Sequence, residues 1–355
     1  MEENIKKILS QIVHPEAGAD IVEAGMVESV KASDDKITVT LAFAKSRDPF
    51  AAKIKRQVQD AVGRAFPSAE VSVIIREAAP RQAQPQEQYT TTGGIAHTIA
   101  VASGKGGVGK STVTANLAVA LHKMGYRVGV LDADIYGPSQ PRMFGVEDYV
   151  PDAVEDGQGH TLIVPAVAGG EAEGIEVMSI GFFIKPTDAL MWRGAMAVNA
   201  LKQMIHQTAW GQLDFLLTDL PPGTGDIHLS IIQELKIDAA VIVSTPQQIA
   251  VADVVRGVEM FRHPQVAVPV AGIVENMAWF TPAELPDNRY YIFGRGGAER
   301  YAAENGIELL GRIPLIQSVM EGSETGRPAS GYDPRAAEHY DEAARKIVEK
   351  LSKSC

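Results

Sequence analysis

The chain has almost no cysteine: of its 355 residues only the last, Cys355, carries a thiol. A disulfide within the chain, a Cys-x-x-Cys redox pair and an all-cysteine zinc site are therefore excluded by counting. No run of 18 or more apolar residues occurs, so no segment reads as a membrane-spanning helix. The start, Met1-Glu2-Glu3-Asn4-Ile5-Lys6-Lys7, lacks the apolar stretch of a secretory signal, and a cytoplasmic protein is expected. Positive charge is also scarce, with 33 Lys and Arg against 44 Asp and Glu, a net charge of −11. Affinity for nucleic acid comes largely from basic side chains that neutralise phosphates, so no nucleic-acid partner is expected. The eight histidines are scattered without an i,i+3 or i,i+4 pair, which leaves no histidine metal site. What is present is an ordinary globular composition, 45% apolar and 22% charged, on a length that suits two or three domains.

Residues 1–78 read as a small αββαβ unit of the α+β class. Ile5, Ile8, Leu9 and Ile12 share one helical face that ends at His14-Pro15; strands follow at Met26–Val30 and Ile37–Phe43 across a Ser33-Asp34-Asp35 turn. Ile54, Val58, Ala61 and Val62 mark a second helix, and Val71–Ile75 a third strand. Residues 79–96 are rich in Pro, Gln, Thr and Gly and bury too little to offset their ordering entropy, so they read as a flexible linker. In 97–355, seven short apolar runs alternate with helical stretches, the pattern of a mostly parallel α/β sheet covered by helices on both faces. The runs are Thr98–Ala102, Val128–Leu131, Glu176–Ile180, Phe215–Thr218, Ala240–Ser244, Val270–Val274 and Leu309–Ile313. Pro334–Lys353, with alternating charge signs, reads as a C-terminal surface helix.

Between the first run and its helix lies Gly104-Lys105-Gly106-Gly107-Val108-Gly109-Lys110-Ser111, which satisfies G-x-x-x-x-G-K-[ST] in the strand–loop–helix context that a P-loop requires. The glycines let successive amides turn toward phosphate oxygens, and the helix that follows, through Ser111 and Thr112, adds the positive end of its dipole. Lys110 is expected to reach the β- and γ-phosphates of ATP and Ser111 to ligate Mg²⁺. Asp219 ends a buried run and is the expected Mg²⁺-shell carboxylate; the Leu220–Asp226 segment behind it is turn-rich and able to follow the γ-phosphate. Asp226 is either such a loop carboxylate or a helix cap. Asp132 and Asp134 end another run. Asp132 is assigned to the Mg²⁺ shell and Asp134 to the attacking water, a turn role for either remaining open.

With its second lysine, Lys105, the P-loop is similar to that of the MinD/ParA class of dimeric ATPases. Asp132-Ala133-Asp134-Ile135-Tyr136-Gly137-Pro138-Ser139, Met191-Trp192-Arg193-Gly194, Asp219–Asp226 and Glu275-Asn276-Met277 resemble the Mrp/ApbC family of iron–sulfur cluster carrier ATPases. Residues 1–78 resemble the small domain often fused ahead of them. The resemblance implies a slow ATPase that delivers clusters to apoproteins, with ATP at a homodimer interface and Lys105 reaching the partner's nucleotide as an arginine finger does. It also implies adenine recognition by Asn276 and a base-covering loop at Gly311-Arg312-Ile313-Pro314. The chain departs from the family where a Cys-x-x-Cys pair usually follows Glu-Asn-Met: here the stretch is Ala278–Tyr291 without a thiol, and Asp48-Pro49 stands where the small domain usually has Cys-Pro. An iron–sulfur cluster is thus implied while its usual ligands are missing. Trp279, Phe280, Tyr290, Tyr291 and Phe293 crowd that Pro-rich loop, either packing on the core or forming a partner surface. An ATP-gated adaptor that carries no cluster is the competing reading. A membrane- or DNA-positioning ATPase is disfavoured, because residues 97–355 carry 21 basic and 31 acidic side chains.

Overall fold

The computed structural model describes residues 2–10, 12, 20–22, 26–32, 36–43, 50–67, 69–77, 94–156, 159–183 and 195–352. Most of the linker, His14-Pro15, Ser33–Asp35, Asp48-Pro49, Trp192-Arg193-Gly194 and Cys355 lie outside them. The chain divides into two units, Met1–Glu87 and Gln88–Cys355.

In the first unit, α1 (Glu2–Leu9) precedes β1 (Val27–Ala32), β2 (Lys36–Phe43), α2 (Ala51–Ala65) and β3 (Glu70–Glu77). β1 runs antiparallel to β2, and β2 parallel to β3. Period two places Ile37, Val39 and Leu41 on one sheet face, and i,i+4 spacing places Ile54, Val58 and Val62 on one helix face; these meet Ile5 and Leu9 in a single core.

The second unit is built on one eight-stranded sheet. In chain order its elements are β4 (Ile95–Ala102), α3 (Lys110–Lys123), β5 (Val128–Asp132), α4 (Gln140–Met143), a hairpin of β6 (Ala153–Glu155) and β7 (Thr161–Ile163), β8 (Ala166–Val167), β9 (Glu176–Ser179), α5 (Ala195–Gln207), β10 (Leu213–Asp219) and α6 (Asp226–Glu234). β11 (Ala239–Ser244), α7 (Gln248–Arg262), β12 (Val270–Phe280), α8 (Gly297–Glu304), β13 (Leu309–Leu315), α9 (Gln317–Thr325) and α10 (Pro334–Ser352) complete it. The strand order is β13-β12-β11-β4-β10-β5-β9-β8, and all neighbours are parallel except β8 and β9. All seven apolar runs are strands of this sheet. Its two faces bury separate cores, one beneath α3 and α10, the other beneath α5 to α8. Among the described residues no helix is long and apolar enough to cross a membrane.

Two expectations are corrected here. The C-terminal helix is amphipathic rather than superficial: its alternating charges lie outside, while Tyr340, Ala343, Ala344 and Ile347 are fully buried against the sheet side of the molecule. β12 runs on through Trp279 to Phe280, so the front of the expected aromatic loop is strand, and Phe280 pairs with Tyr290 as a bridge.

Candidate nucleotide site

Parallel pairing places the carboxyl ends of β4, β10 and β5 side by side. Asp219 is in register with Val101 on one side and Asp132 on the other, so topology alone gathers the P-loop and both carboxylates at one sheet edge. The loop between β4 and α3 ends at Gly109, whose φ of 81° is left-handed, and a Cβ there would strike the Asn276 amide; at Gly104 a Cβ would run into the backbone carbonyl of Asp253 on α7. Glycine is required at both positions for close approach.

Lys110 opens α3 and is buried, and its ammonium forms an ion pair with Asp219 Oδ1. It also donates to Ser111 Oγ at 3.2 Å and lies 3.9 Å from Asp134 Oδ2. Asp219 is fully buried. Thr114 Oγ1 donates to its Oδ1 at 3.3 Å, and Gln140 Nε2 to its Oδ2 at 2.9 Å. Lys110, Ser111, Asp134 and Asp219 therefore form one cluster. Lys105 is exposed on the loop with Gly106 and Gly107, while Val108 is buried.

Asp132 is used differently from the sequence expectation. β5 stops at Asp132 and the chain turns, so the two carboxylates do not share one face as they would on a continuing strand. Oδ2 of Asp132 accepts from the Ser139 and Gln140 amides and from Ser179 Oγ, each at 3.0 Å, and Oδ1 accepts from the Asp134 amide at 3.2 Å. These bonds shape the β5–α4 loop and aim Asp134 at Lys110. Complete burial, and then the Asp219 charge, push the Asp132 carboxyl up to about 7. Burial also raises Asp134, against the pull of Lys110.

Asn276 is spent on the P-loop itself: its Nδ2 donates to the Val108 carbonyl at 2.9 Å. A bulge in the β12–β13 pairing and a positive φ of 55° at Met277 redirect the strand just beyond it. Gly311–Pro314 lies in β13 rather than in a loop; β13 is an edge strand, where a proline is tolerated. Trp279 is largely buried, edge-on to His339 and beneath the Arg289 guanidinium at 4.5 Å, whereas Phe280, Tyr290 and Ile292 are exposed.

Three further side chains make contacts around the site that the sequence did not show. Gln140 ties the Asp219 carboxylate to the Ser111 carbonyl. His228, on the first turn of α6, accepts from the Gly225 amide at Nδ1 (3.1 Å) and contacts the Pro221 carbonyl through Nε2 at 2.7 Å, so one neutral imidazole pins both ends of the 221–225 loop; burial lowers its pKa. Glu275 accepts from the Ala298 amide, at the start of α8, and from Arg312 Nε. Glu275 lies in the Glu275-Asn276-Met277 segment, while Gln140 and His228 belong to no spacing motif, and only the fold reveals their contacts.

No group of three His, Cys, Asp or Glu able to hold a metal occurs among the described residues. Mg²⁺ needs less, since it keeps several waters and takes one or two protein oxygens plus phosphates. Ser111 Oγ and Asp219 Oδ1 both meet the Lys110 ammonium, and with Gln140 Oε1, buried and without a hydrogen-bond partner, they give an all-oxygen set that fits this ion.

A family model described as the NUBPL iron-transfer P-loop NTPase matches residues 94–352, and one described as an iron-sulfur cluster assembly protein matches residues 2–73. The iron-sulfur cluster carrier protein of Synechocystis is 38% identical over 348 residues, covering 97% of this chain and 96% of that one. That of Haemophilus influenzae is 37% identical over 353 residues, covering 99% and 91%. Among solved structures, an Archaeoglobus fulgidus nucleotide-binding protein in complex with ADP is 40% identical with a TM-score of 0.60, over 70% of this chain and 94% of that chain. The cell division ATPase MinD of Pyrococcus furiosus shares the fold at 24% identity and a TM-score of 0.53, over 72% and 99%.

Proposed function

The chain belongs to the NUBPL iron-transfer P-loop NTPase family, and from that premise we propose that it is a homodimeric cytoplasmic ATPase that carries iron–sulfur clusters to apoproteins. The observation that carries the reading is the buried Lys110–Asp219 ion pair at the head of α3, where a polyphosphate offers the lysine a stronger partner. In this reading Lys110 leaves Asp219 for the β- and γ-phosphates, the amides of 104–111 and the first turn of α3 with Thr112 hold the phosphate oxygens, and Ser111 and Asp219 are freed for the metal. Magnesium, when bound there, neutralises charge on the phosphoryl oxygens. Asp134, held by its loop and raised by burial, orients the attacking water. The exposed Lys105 reaches the nucleotide of a second subunit. Asn276 holds the floor of the P-loop and, with Pro314 on the neighbouring strand, borders the base.

The cargo poses a ligand problem. A dimer supplies two thiols, both at position 355, against the four protein ligands usual for a [4Fe–4S] cluster, so a carried cluster takes other ligands from this chain or its client. The same count favours the second reading, an ATP-gated adaptor that presents a surface and holds no cluster.

Replacing Lys110 by alanine abolishes ATP turnover; a wild-type rate would overturn the site. Anaerobic reconstitution with iron and sulfide in the presence of ATP, read by absorbance, separates the two readings: a stoichiometric cluster rules out the adaptor, and its persistent absence rules against the carrier.

A further inference from the structure

Gln140 is fully buried, an uncommon setting for a glutamine at the head of a four-residue helix. Its side-chain nitrogen donates to two acceptors at once, the Ser111 carbonyl at 3.1 Å and Asp219 Oδ2 at 2.9 Å. Because both partners only accept, the orientation of the amide is fixed and Oε1 is left buried with no partner. The Gln140 main-chain amide is held in turn by Asp132 Oδ2 at 3.0 Å. One residue thus joins the P-loop helix, the end of β10 and the β5–α4 loop.

The division of labour on Asp219 is the decisive detail. Oδ1 takes Lys110 and Thr114, while Oδ2 takes Gln140. When Lys110 moves to phosphate, Oδ1 loses its ion pair and keeps only Thr114, while Oδ2 stays held by Gln140, so the carboxylate keeps its orientation. Oδ1 and the unpartnered Gln140 Oε1 are then two acceptors fixed beside Ser111. Water bound to a divalent cation donates strongly, and two preset acceptors suit it. We propose that Gln140 is a positioning residue that fixes Asp219 for the hydration shell of the nucleotide-bound Mg²⁺ and accepts a hydrogen bond from that shell. The inference rests on the Mg²⁺-nucleotide reading above.

The test uses the full-length chain and two variants: Gln140→Met, which keeps the side-chain volume without the amide, and Gln140→Asn, which keeps an amide too short to span both acceptors. Folding is checked by thermal melting. Mn²⁺ binding to the ADP complex is followed by electron paramagnetic resonance, ADP affinity is measured in EDTA, and the Mg²⁺ dependence of ATP hydrolysis is titrated. Metal affinity is expected to fall about tenfold in Gln140→Met and less in Gln140→Asn, with ADP affinity in EDTA unchanged. Unchanged metal affinity in a folded variant overturns the inference, as does an equal loss of ADP affinity in EDTA, which would make Gln140 a P-loop prop only. If the wild-type protein itself shows no Mg²⁺-dependent hydrolysis, the parent reading fails and takes this one with it.

Discussion

Replacing Lys110 by methionine should destabilise the second unit as well as stop turnover, and the structure indicates why and by how much. Lys110 is 6% exposed and Asp219 0%. Removing one member of such a buried pair strands the other charge, at a cost of about 3–5 kcal/mol. Asp219 keeps two donors, Thr114 and Gln140, which places the loss near the lower end, about 3 kcal/mol. The double variant Lys110→Met, Asp219→Leu is the sharper experiment. Neither former donor is orphaned in it: Gln140 Nε2 still has the Ser111 carbonyl, and Thr114 Oγ1 still has the carbonyl of residue 110 at 3.0 Å. Ser111 Oγ, which accepts from the lysine at 3.2 Å and is half-buried, and Asp134, 3.9 Å from it, also lose a partner. Urea unfolding without nucleotide or metal should therefore show the single variant about 3 kcal/mol less stable than wild type and the double variant within about 1 kcal/mol of it. Neither should hydrolyse ATP. A double variant as unstable as the single one would refute the claim that an uncompensated carboxylate causes the loss.

Two further outcomes rest on other residues. Burial raises the Asp134 carboxyl, and its proposed role needs the ionised form, so kcat should fall as pH drops through a value above the ~3.9 of a free aspartate; a pH–rate profile locates this limb, and a limb at or below that value would remove Asp134 as the water-orienting group. Tyr340 is fully buried, its hydroxyl has no partner among the described residues, and burial raises its pKa. Tyr340→Phe should therefore stabilise the second unit by about 1 kcal/mol, which shows as a melting point higher by a few degrees; a lower melting point would mean that the hydroxyl is satisfied.

Local signals with a fixed spacing were legible in the sequence. All seven β-branched runs became strands because continuous apolar stretches have no other place than a sheet covered on both faces, and the P-loop lies where strand, glycines and helix demand. Contacts across the sheet edge were not legible. Asp132 and Asp134 received separate roles from the sequence, but their partners were not legible: β5 ends at Asp132, and its carboxylate turns to the amides of residues 139 and 140. Asn276 carried a family expectation of base recognition, yet its amide reaches Val108, a contact set by a bulge that no spacing rule anticipates. The family resemblance implied a loop at Gly311–Pro314, although Leu309–Ile313 also read as an apolar run; in β13 the glycine packs against α10 and the proline sits on an edge strand.

The charge arrangement explains why such a site needs help from outside its own cluster. Asp132, Asp134 and Asp219 crowd around the single ammonium of Lys110, and the Asp219 charge disfavours ionisation of both Asp132 and Asp134. A triphosphate brings further negative charge into this field, so amides and one lysine do not suffice. On the proposed reading, a divalent cation at Ser111 and Asp219 would supply part of the difference. The rest would fall to a second positive group, and on the P-loop the exposed lysine is Lys105. In the proposed homodimer such a site would be weak in one chain and strong where two chains meet. Dimerisation and nucleotide binding would then be thermodynamically linked, each strengthening the other by the same factor.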